Sequence, residues 1–206
     1  AALGKEVTFI GEGRLPQRPL GEYIELLPKH GVNIESSGSL PLSISGKLES
    51  GDFEIRGDIS SQYITGLMLA LPVLDGDSKI ILTTPLKSKP YVDMTVKVLS
   101  DYGVFVQETD YGYFIKGNQK YAVRDYTVEG DWSHAAFFMS AAAIGGKITL
   151  KGLDMNSAQG DKAVVDVMRM FGAEVTVGEN SVTCEKSELH GIDIDCDNIP
   201  DMVPAI

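Results

Sequence analysis

The fold is decided by one stretch of the chain, residues 57–72, which reads GDISSQYITGLMLALP. Its Gly-Asp pair predicts a tight turn, and two serines and a glutamine then open a helix. After the glutamine the helix is apolar on nearly every face, which is typical of a buried helix. The first N–H groups of a buried helix need polar partners. Ser60, Ser61 and Gln62 could satisfy those groups themselves, or they could bind an anion at the positive end of the helix dipole.

The unit that contains this stretch is repeated along the chain. The segment 53–58 (FEIRGD) returns at 126–131 (YTVEGD), an offset of 73 (131 − 58), and a looser third copy lies at 192–197 (IDIDCD). Because the Gly-Asp turn is shared by the first two copies, we interpret it as structural. The chain therefore carries more than one copy of the same supersecondary unit.

A second marker follows the same period. In each copy an apolar helical run ends at a glycine and a short strand follows, at Gly31, Gly103 and Gly172. These glycines are 72 (103 − 31) and 69 (172 − 103) residues apart. A period near 70 residues is too long for the common solenoids and predicts an α/β chain of repeated βαβαββ subdomains.

Positions that differ between the copies are the candidates for function. Counted from the Gly-Asp turn, Gln62 aligns with Ala135 in the second copy and with Asp201 in the third. A helix start that carries three different residue types is not restricted to one capping chemistry. Asp201 could simply stabilise a helix dipole, which contributes about 0.3–1 kcal/mol. If that helix start faces a ligand, its carboxylate is a candidate general base.

Two loops before helices carry further candidates. Arg18 precedes Pro19, a residue suited to a first helical turn, and a guanidinium there is either solvated or holds a carboxylate or phosphate. The loop 85–91 (PLKSKPY) contains Ser88 and Tyr91 and is either a solvated turn or part of a ligand site. Equivalent loops should lie at the same end of each subdomain, where the helix starts can converge.

Composition limits the classes of function. The 206 residues are 43% hydrophobic and 23% charged, as in ordinary globular proteins, and the formal net charge is −11. This charge argues against non-specific binding to nucleic acid or to anionic membranes. No apolar run long enough to span a membrane and no signal peptide is found, so we expect a cytoplasmic protein. The two cysteines lack metal-ligand spacing and are expected to be reduced.

The domain boundary is predicted in the polar segment 120–126, which has no clear helix or strand pattern. The second Gly-Asp turn follows it directly. We therefore expect residues 1–128 to form part of one domain and residues 129–206 to form part of a second.

Five segments together resemble one family, the bacterial 5-enolpyruvylshikimate-3-phosphate synthases. In chain order they are GDISSQY (57–63), KSKPY (87–91), VEGD (128–131), NSAQGD (156–161) and IPD (199–201). The resemblance implies two partial domains of the enolpyruvyl-transferase inside-out barrel, each built from βαβαββ subdomains. This agrees with the internal repeat.

The resemblance also implies an activity. Enzymes of this family transfer the enolpyruvyl group of phosphoenolpyruvate to the 5-hydroxyl of shikimate 3-phosphate and release phosphate, a step of aromatic amino-acid biosynthesis. Protonation of the enol carbon makes the adjacent carbon electrophilic. The hydroxyl then adds, and the tetrahedral intermediate eliminates phosphate. No cofactor and no metal are implied.

The roles that the resemblance implies fall on seven residues. Shikimate 3-phosphate would be bound by Ser60, Ser61, Gln62, Ser88, Tyr91 and Asp201. Phosphoenolpyruvate would be bound by Arg18 and Gln62. Asp201 would also be the catalytic carboxylate that handles the proton of the reacting hydroxyl.

The family's N-terminal lysine and arginine segment and its C-terminal glutamate, arginine and lysine have no counterpart here. We therefore expect this chain to be an internal fragment that is inactive alone. The full-length enzyme is expected to be a monomer. Its partners would be the two small-molecule substrates, without nucleic acid or membrane. Two alternatives remain open: the related enolpyruvyl transferase that acts on UDP-N-acetylglucosamine, and a non-catalytic binding module built on the same repeats.

Overall fold

The computed structural model describes every residue from Ala1 to Ile206. Ten strands and five α-helices follow one another along the chain as β1 (Val7–Phe9), α1 (Gly21–Leu26), β2 (Val32–Ser36), β3 (Leu42–Gly46), β4 (Asp52–Ile55), α2 (Ser61–Ala70), β5 (Ser78–Leu82), α3 (Lys89–Asp101), β6 (Val106–Thr109), β7 (Gly112–Ile115), α4 (Trp132–Gly145), β8 (Lys147–Lys151), α5 (Val164–Met170), β9 (Glu174–Gly178) and β10 (Ser181–Glu185). None of the helices is both long enough and apolar enough to cross a membrane.

The three sheets share one topology, which confirms the internal repeat. Their strand orders are β1-β3-β2, β4-β5-β7-β6 and β8-β10-β9. In each, a strand is followed by a helix and a hairpin, and the second hairpin strand pairs with the first strand antiparallel. The middle copy adds β4, parallel to β5, and reads β4-α2-β5-α3-β6-β7. This is the complete βαβαββ unit predicted from the sequence.

The chain divides into two compact units. The first contains residues 1–87 and 95–124, and the second contains residues 88–94 and 125–206. The polar segment predicted to lack regular structure has none, since no helix or strand is found between β7 and α4. The domain boundary between residues 128 and 129 stays a prediction.

The three marker glycines all have left-handed backbone. Gly31, Gly103 and Gly172 have φ of 82°, 77° and 95°. A left-handed residue after a helix lets the chain turn into the next strand, and glycine adopts it without a Cβ clash. The sequence marker therefore reports a helix C-terminus in each copy.

The apolar helices α2 and α4 are buried on one side rather than all round. Ile64, Leu67 and Met68 of α2 are almost fully buried, whereas Leu69 is 53% exposed. On α4, Trp132 is fully buried, and three large apolar residues, Phe137, Phe138 and Ile144, are exposed. The sequence predicted buried helices, and within this chain each of them also leaves some apolar side chains exposed to solvent.

The alignment of Gln62 with Ala135 is also corrected. Helix α4 starts directly after the Gly-Asp turn, with Asp131 as its N-cap, whereas α2 starts later, with Ser60 as its N-cap. Counted from the N-cap, Gln62 occupies the same helical position as Ser133. The first copy has two extra residues between turn and helix, which the constant offset of 73 does not show.

Both Gly-Asp turns require their glycine because the chain passes close to a neighbouring backbone. A Cβ on Gly57 would lie 2.8 Å from the carbonyl oxygen of Thr84, and a Cβ on Gly130 would lie 2.5 Å from that of Gly152. Since real Cβ atoms do not approach a backbone oxygen so closely, the turn has to shift when a larger residue is introduced.

We expect Gly130→Ala to destabilise the protein by about 1–3 kcal/mol, the usual range for overpacking. The matched control is Gly145→Ala at the end of α4, where an added Cβ meets no atom within 4 Å. There alanine should be neutral or stabilising by up to about 1 kcal/mol. Thermal unfolding of both variants measures the difference, and equal melting temperatures would show that the turn tolerates a side chain.

Candidate functional site

The N-terminus of α2 is the first cluster of predicted site residues. Ser60 is its N-cap, with extended backbone, and its Oγ accepts a hydrogen bond from the N–H of Gln62 at 3.3 Å. Because that hydroxyl is an acceptor in the cap, its own proton remains to be donated to a ligand. Ser60 and Ser61 are half-buried and Gln62 is exposed. Capping therefore uses one lone pair of the Ser60 hydroxyl. The hydroxyl proton of Ser60 and the side chains of Ser61 and Gln62 can still bind a ligand.

Two tyrosines bring the loop of Arg18 to this helix start. The Tyr63 hydroxyl donates to the carbonyl of Pro19, and the Tyr23 hydroxyl donates to the carbonyl of Tyr63 at 2.6 Å. The two rings pack edge to face at 4.8 Å between centroids. Burial raises the pKa of the Tyr63 phenol, with Glu22 acting in the same direction and Arg18 opposing. The loop that contains Arg18 is thus held to the side chain of a first-turn residue of α2.

The loop itself forms an open cleft that contains two guanidinium groups. The cleft has a volume of about 570 Å³ and is lined by Gly13, Arg14, Gln17, Arg18 and Pro19. Both arginines are exposed. A forked guanidinium in such a position can form paired hydrogen bonds to a carboxylate or a phosphate.

The Asp58 carboxylate, in the Gly-Asp turn before α2, is bound by two side chains of the protein itself. Arg56 forms an ion pair with it at 2.9 Å, and the Thr84 hydroxyl donates to it at 2.7 Å. These two hydrogen bonds hold the pKa of the Asp58 carboxyl far below its usual range. Asp58 therefore stabilises the turn, as predicted for the shared Gly-Asp pair.

The second cluster lies in the second unit and begins with Ser88. This residue has φ of 55°, an uncommon conformation for any residue other than glycine. Its hydroxyl donates to the carbonyl of Asp197 at 3.4 Å, a long hydrogen bond to the third repeat. The loop predicted to hold Ser88 and Tyr91 is therefore packed against residues far away in the sequence.

Tyr91 contacts two aspartates of this unit. Its hydroxyl donates to the Asp161 carboxylate, with distances of 3.2 and 3.3 Å to the two oxygens, and the Asp201 backbone hydrogen-bonds the phenol oxygen. Burial raises the pKa of the Tyr91 phenol strongly, and the charges of Asp161 and Asp201 raise it further. The phenol is therefore neutral near pH 7.

Asp201 lies on a short 3-10 turn, Pro200–Met202, rather than on a regular helix. The buried side chains of Ile199 and Met202 anchor the turn, and Asp201 between them is exposed. An exposed carboxylate on an anchored turn can approach a ligand without moving the backbone.

The predicted residues therefore form two groups. Arg18 and the segment 60–62 belong to the first unit, where the Tyr63–Pro19 hydrogen bond connects their loop and helix. Ser88, Tyr91 and Asp201 come together in the second. The first group combines hydroxyls with a positive guanidinium, which suits an anionic ligand. The second combines two hydroxyls with the Asp201 carboxylate, which suits the part of a ligand that carries hydroxyl donors.

Sequence reasoning assigned no role to Asp161, although this residue ends the segment 156–161. An aspartate directly before a helix is ordinarily a solvated dipole partner. Here it is only 4% exposed. Desolvation raises the pKa of its carboxyl, the charges of Asp201 and Asp131 add to this, and the Tyr91 hydrogen bond opposes it. No local sequence signal distinguishes a buried aspartate from an exposed one at this position.

Comparison with known proteins gives a family match over the whole chain. The family model EPSP synthase (3-phosphoshikimate 1-carboxyvinyltransferase) matches residues 1–206. A 3-phosphoshikimate 1-carboxyvinyltransferase of Clostridium novyi is 47% identical over 204 residues, which cover 98% of this chain and 47% of that protein. The 3-phosphoshikimate 1-carboxyvinyltransferase of Clostridium kluyveri is 46% identical, and the match covers 49% of that protein. The chain spans about half the length of the curated relatives it matches.

Solved structures agree on the fold. An EPSP synthase from Acinetobacter baumannii superimposes with a TM-score of 0.73 at 24% identity, covering 98% of this chain and 48% of that one. The enolpyruvyl transferase NikO from Streptomyces tendae superimposes with a TM-score of 0.61 at 18% identity, covering 81% of this chain and 42% of that one. The expected fold class, repeated subdomains of the enolpyruvyl-transferase type, is therefore confirmed.

Proposed function

Because the chain belongs to the EPSP synthase family, we propose that it is about half of an enzyme that transfers the enolpyruvyl group of phosphoenolpyruvate to the 5-hydroxyl of shikimate 3-phosphate. One observation carries this proposal. Curated relatives that share up to 47% identity with nearly the whole chain bear the name of that activity, 3-phosphoshikimate 1-carboxyvinyltransferase. The reaction releases inorganic phosphate.

The first unit supplies groups for the anionic parts of the substrates. The N-terminus of α2 presents the Ser60 and Ser61 hydroxyls and the positive end of the helix dipole, which together suit the phosphate of shikimate 3-phosphate. Gln62 projects from the same turn, where its amide can contact both substrates. Arg18 lies on the loop that Tyr63 holds through the Pro19 carbonyl, and its guanidinium suits the carboxylate or phosphate of phosphoenolpyruvate.

The second unit supplies groups for phosphate, for the ring and for the proton. Ser88 holds phosphate through its hydroxyl, and Tyr91 lines the ring of shikimate 3-phosphate. Asp201 accepts the proton of the 5-hydroxyl as that oxygen attacks the electrophilic carbon. Its exposure on an anchored turn supports this role, because a general base has to reach the proton that it removes.

The reaction as proposed is balanced without a cofactor. The enol carbon of phosphoenolpyruvate gains a proton, the hydroxyl oxygen bonds to the neighbouring carbon, and Asp201 takes the hydroxyl proton. The tetrahedral intermediate then loses a proton and phosphate to restore the double bond. A cytoplasmic, monomeric full-length enzyme, as expected from the sequence, remains part of the proposal.

The full-length gene product tests the proposal directly. Phosphate release from phosphoenolpyruvate should require shikimate 3-phosphate, and mass spectrometry should detect the enolpyruvyl ether as product. UDP-N-acetylglucosamine should not replace shikimate 3-phosphate. Turnover with that aminosugar instead would identify the related transferase, and no turnover with either acceptor would identify a non-catalytic binding module.

Replacing both Ser60 and Ser61 with alanine should weaken binding of shikimate 3-phosphate to the full-length enzyme about tenfold or more. Hydrogen bonds to a charged group contribute roughly 1.5–3 kcal/mol each. Loss of the Ser60 cap should cost about 0.5–2 kcal/mol of stability. Titration calorimetry and thermal unfolding measure the two effects separately.

The control for this double variant is Leu67→Ala, about two turns further along the same helix. Leu67 is buried, so its truncation should cost roughly 2–5 kcal/mol of stability and leave affinity unchanged in the folded fraction. If the serine variant loses stability but keeps its affinity, the serines only cap the helix.

A further inference from the structure

The proposed mechanism leaves one buried carboxylate without a role. Asp161 is 4% exposed, its side chain accepts hydrogen bonds from the Tyr91 phenol, and the charges that act on it are those of Asp201 and Asp131. A carboxylate among other carboxylates is costly to bury. Its presence at such a position calls for a physical reason.

The other buried polar residues of the same loop hold the local backbone. Gln159 donates to the carbonyl of Gly130 at 2.8 Å and accepts from the N–H of Trp132 at 2.9 Å. Ser157 accepts from the N–H of Gln159 at 3.0 Å. These two residues tie the loop to the turn before α4. The Asp161 carboxylate takes no part in that connection and points to Tyr91.

The contact between Asp161 and Tyr91 follows from close packing of the two segments. A Cβ on Gly160 would lie 2.6 Å from the Cβ of Pro90, so only glycine lets the loop approach the first turn of α3 this closely. Tyr91 is therefore held on two sides: by backbone packing next to it in the sequence, and by Asp161 and the Asp201 backbone at its hydroxyl.

We propose that Asp161 is a positioning residue for the proposed reaction: its carboxylate orients the Tyr91 phenol, and through it the Asp201 turn, toward the ring of the acceptor substrate. A phenol has one proton, and Asp161 accepts it. The Tyr91 oxygen can therefore meet a ligand only as an acceptor. This favours a ring hydroxyl over a phosphate or carboxylate, and it rests on the proposed function.

The test is a double-mutant cycle in the full-length enzyme, with kcat and KM measured for both substrates. Asp161→Ala should raise KM for shikimate 3-phosphate about tenfold and leave KM for phosphoenolpyruvate within about twofold, a coupling typical of residues in direct contact. Asp161→Asn should raise KM for shikimate 3-phosphate less, because the amide oxygen still accepts a hydrogen bond from the Tyr91 phenol. In a Tyr91→Phe background, the Asp161 substitutions should have little further effect.

The matched control is Asp166→Ala on α5, whose side chain is 79% exposed and forms an ion pair with Arg169. It should leave both KM values unchanged. A purely structural Asp161 would lower stability and kcat in both backgrounds without a selective change in KM. Equal effects of Asp161→Ala with Tyr91 and with Phe at position 91 would overturn the proposal.

Failure of the proposed function gives a different result. If the wild-type enzyme shows no enolpyruvyl transfer, the function is wrong, and the same cycle on the free energy of unfolding still tests the contact. Additive stability effects of Asp161→Asn and Tyr91→Phe would then reject the positioning role as well. Activity in the wild type with additive kinetic effects would reject the positioning role alone.

Discussion

Replacing Asp201 with asparagine in the full-length enzyme is expected to lower kcat by about 10²–10⁴-fold, the usual contribution of a positioned general base. An amide oxygen can accept a hydrogen bond from the 5-hydroxyl but cannot remove its proton. KM for shikimate 3-phosphate should therefore change much less than kcat. Steady-state kinetics at saturating phosphoenolpyruvate measures both.

The structure indicates that this substitution should leave the local backbone in place. The turn Pro200–Met202 is anchored by the buried side chains of Ile199 and Met202, and Asp201 is exposed. Melting temperature should stay close to that of the wild type. The control Asp193→Asn changes another exposed aspartate of the same segment and should alter kcat by less than about twofold. If Asp201→Asn retains more than a tenth of the wild-type kcat, another group is the base.

The second large effect concerns the 206-residue chain on its own, which is expected to show no enolpyruvyl transfer. The chain spans about half the length of its relatives. The family resemblance implies that lysine, arginine and glutamate residues of the site lie in the rest of the full-length enzyme. Removing one preorganised donor from an active site costs about 10²–10³ in kcat, so loss of several should put turnover below detection.

This experiment needs a chain that is folded and free of host enzyme. Expression in a strain that lacks its own enzyme, followed by circular dichroism, separates an incomplete site from an unfolded protein. The full-length protein, purified in the same way, is the positive control. The folded chain should still bind shikimate 3-phosphate weakly through the segment 60–62. Measurable turnover by the purified chain would show that the implied roles of the absent residues are wrong.

Local patterns in the sequence determined the repeated architecture. Glycine at 31, 103 and 172 predicted three equivalent helix ends, and all three have left-handed backbone. The Gly-Asp turns predicted the starts of the two apolar helices, and the βαβαββ order was confirmed in the middle copy. These features could be read directly because turn geometry and helix caps depend on neighbouring residues.

The repeat and the loops before helices indicated the candidate site residues, the resemblance gave them roles, and the tertiary structure decided which of them are neighbours. It placed Ser88 and Tyr91 beside residues of the third repeat, although more than 100 positions separate Ser88 from its partner Asp197. It also showed that α2 and α4 begin at different distances from their Gly-Asp turns, and it left Leu69 of α2 exposed. Each of these depends on how whole elements pack.

Asp161 shows most clearly the difference between what the sequence predicts and what tertiary packing decides. The sequence places an aspartate just before a helix, where a solvated side chain is the ordinary outcome. The close approach of Gly160 to Pro90 buries it instead and directs it at the Tyr91 phenol. Burial is a property of the assembled chain, since it depends on segments that meet only after folding. The repeats could therefore be predicted from sequence alone, whereas the partner of this carboxylate could not.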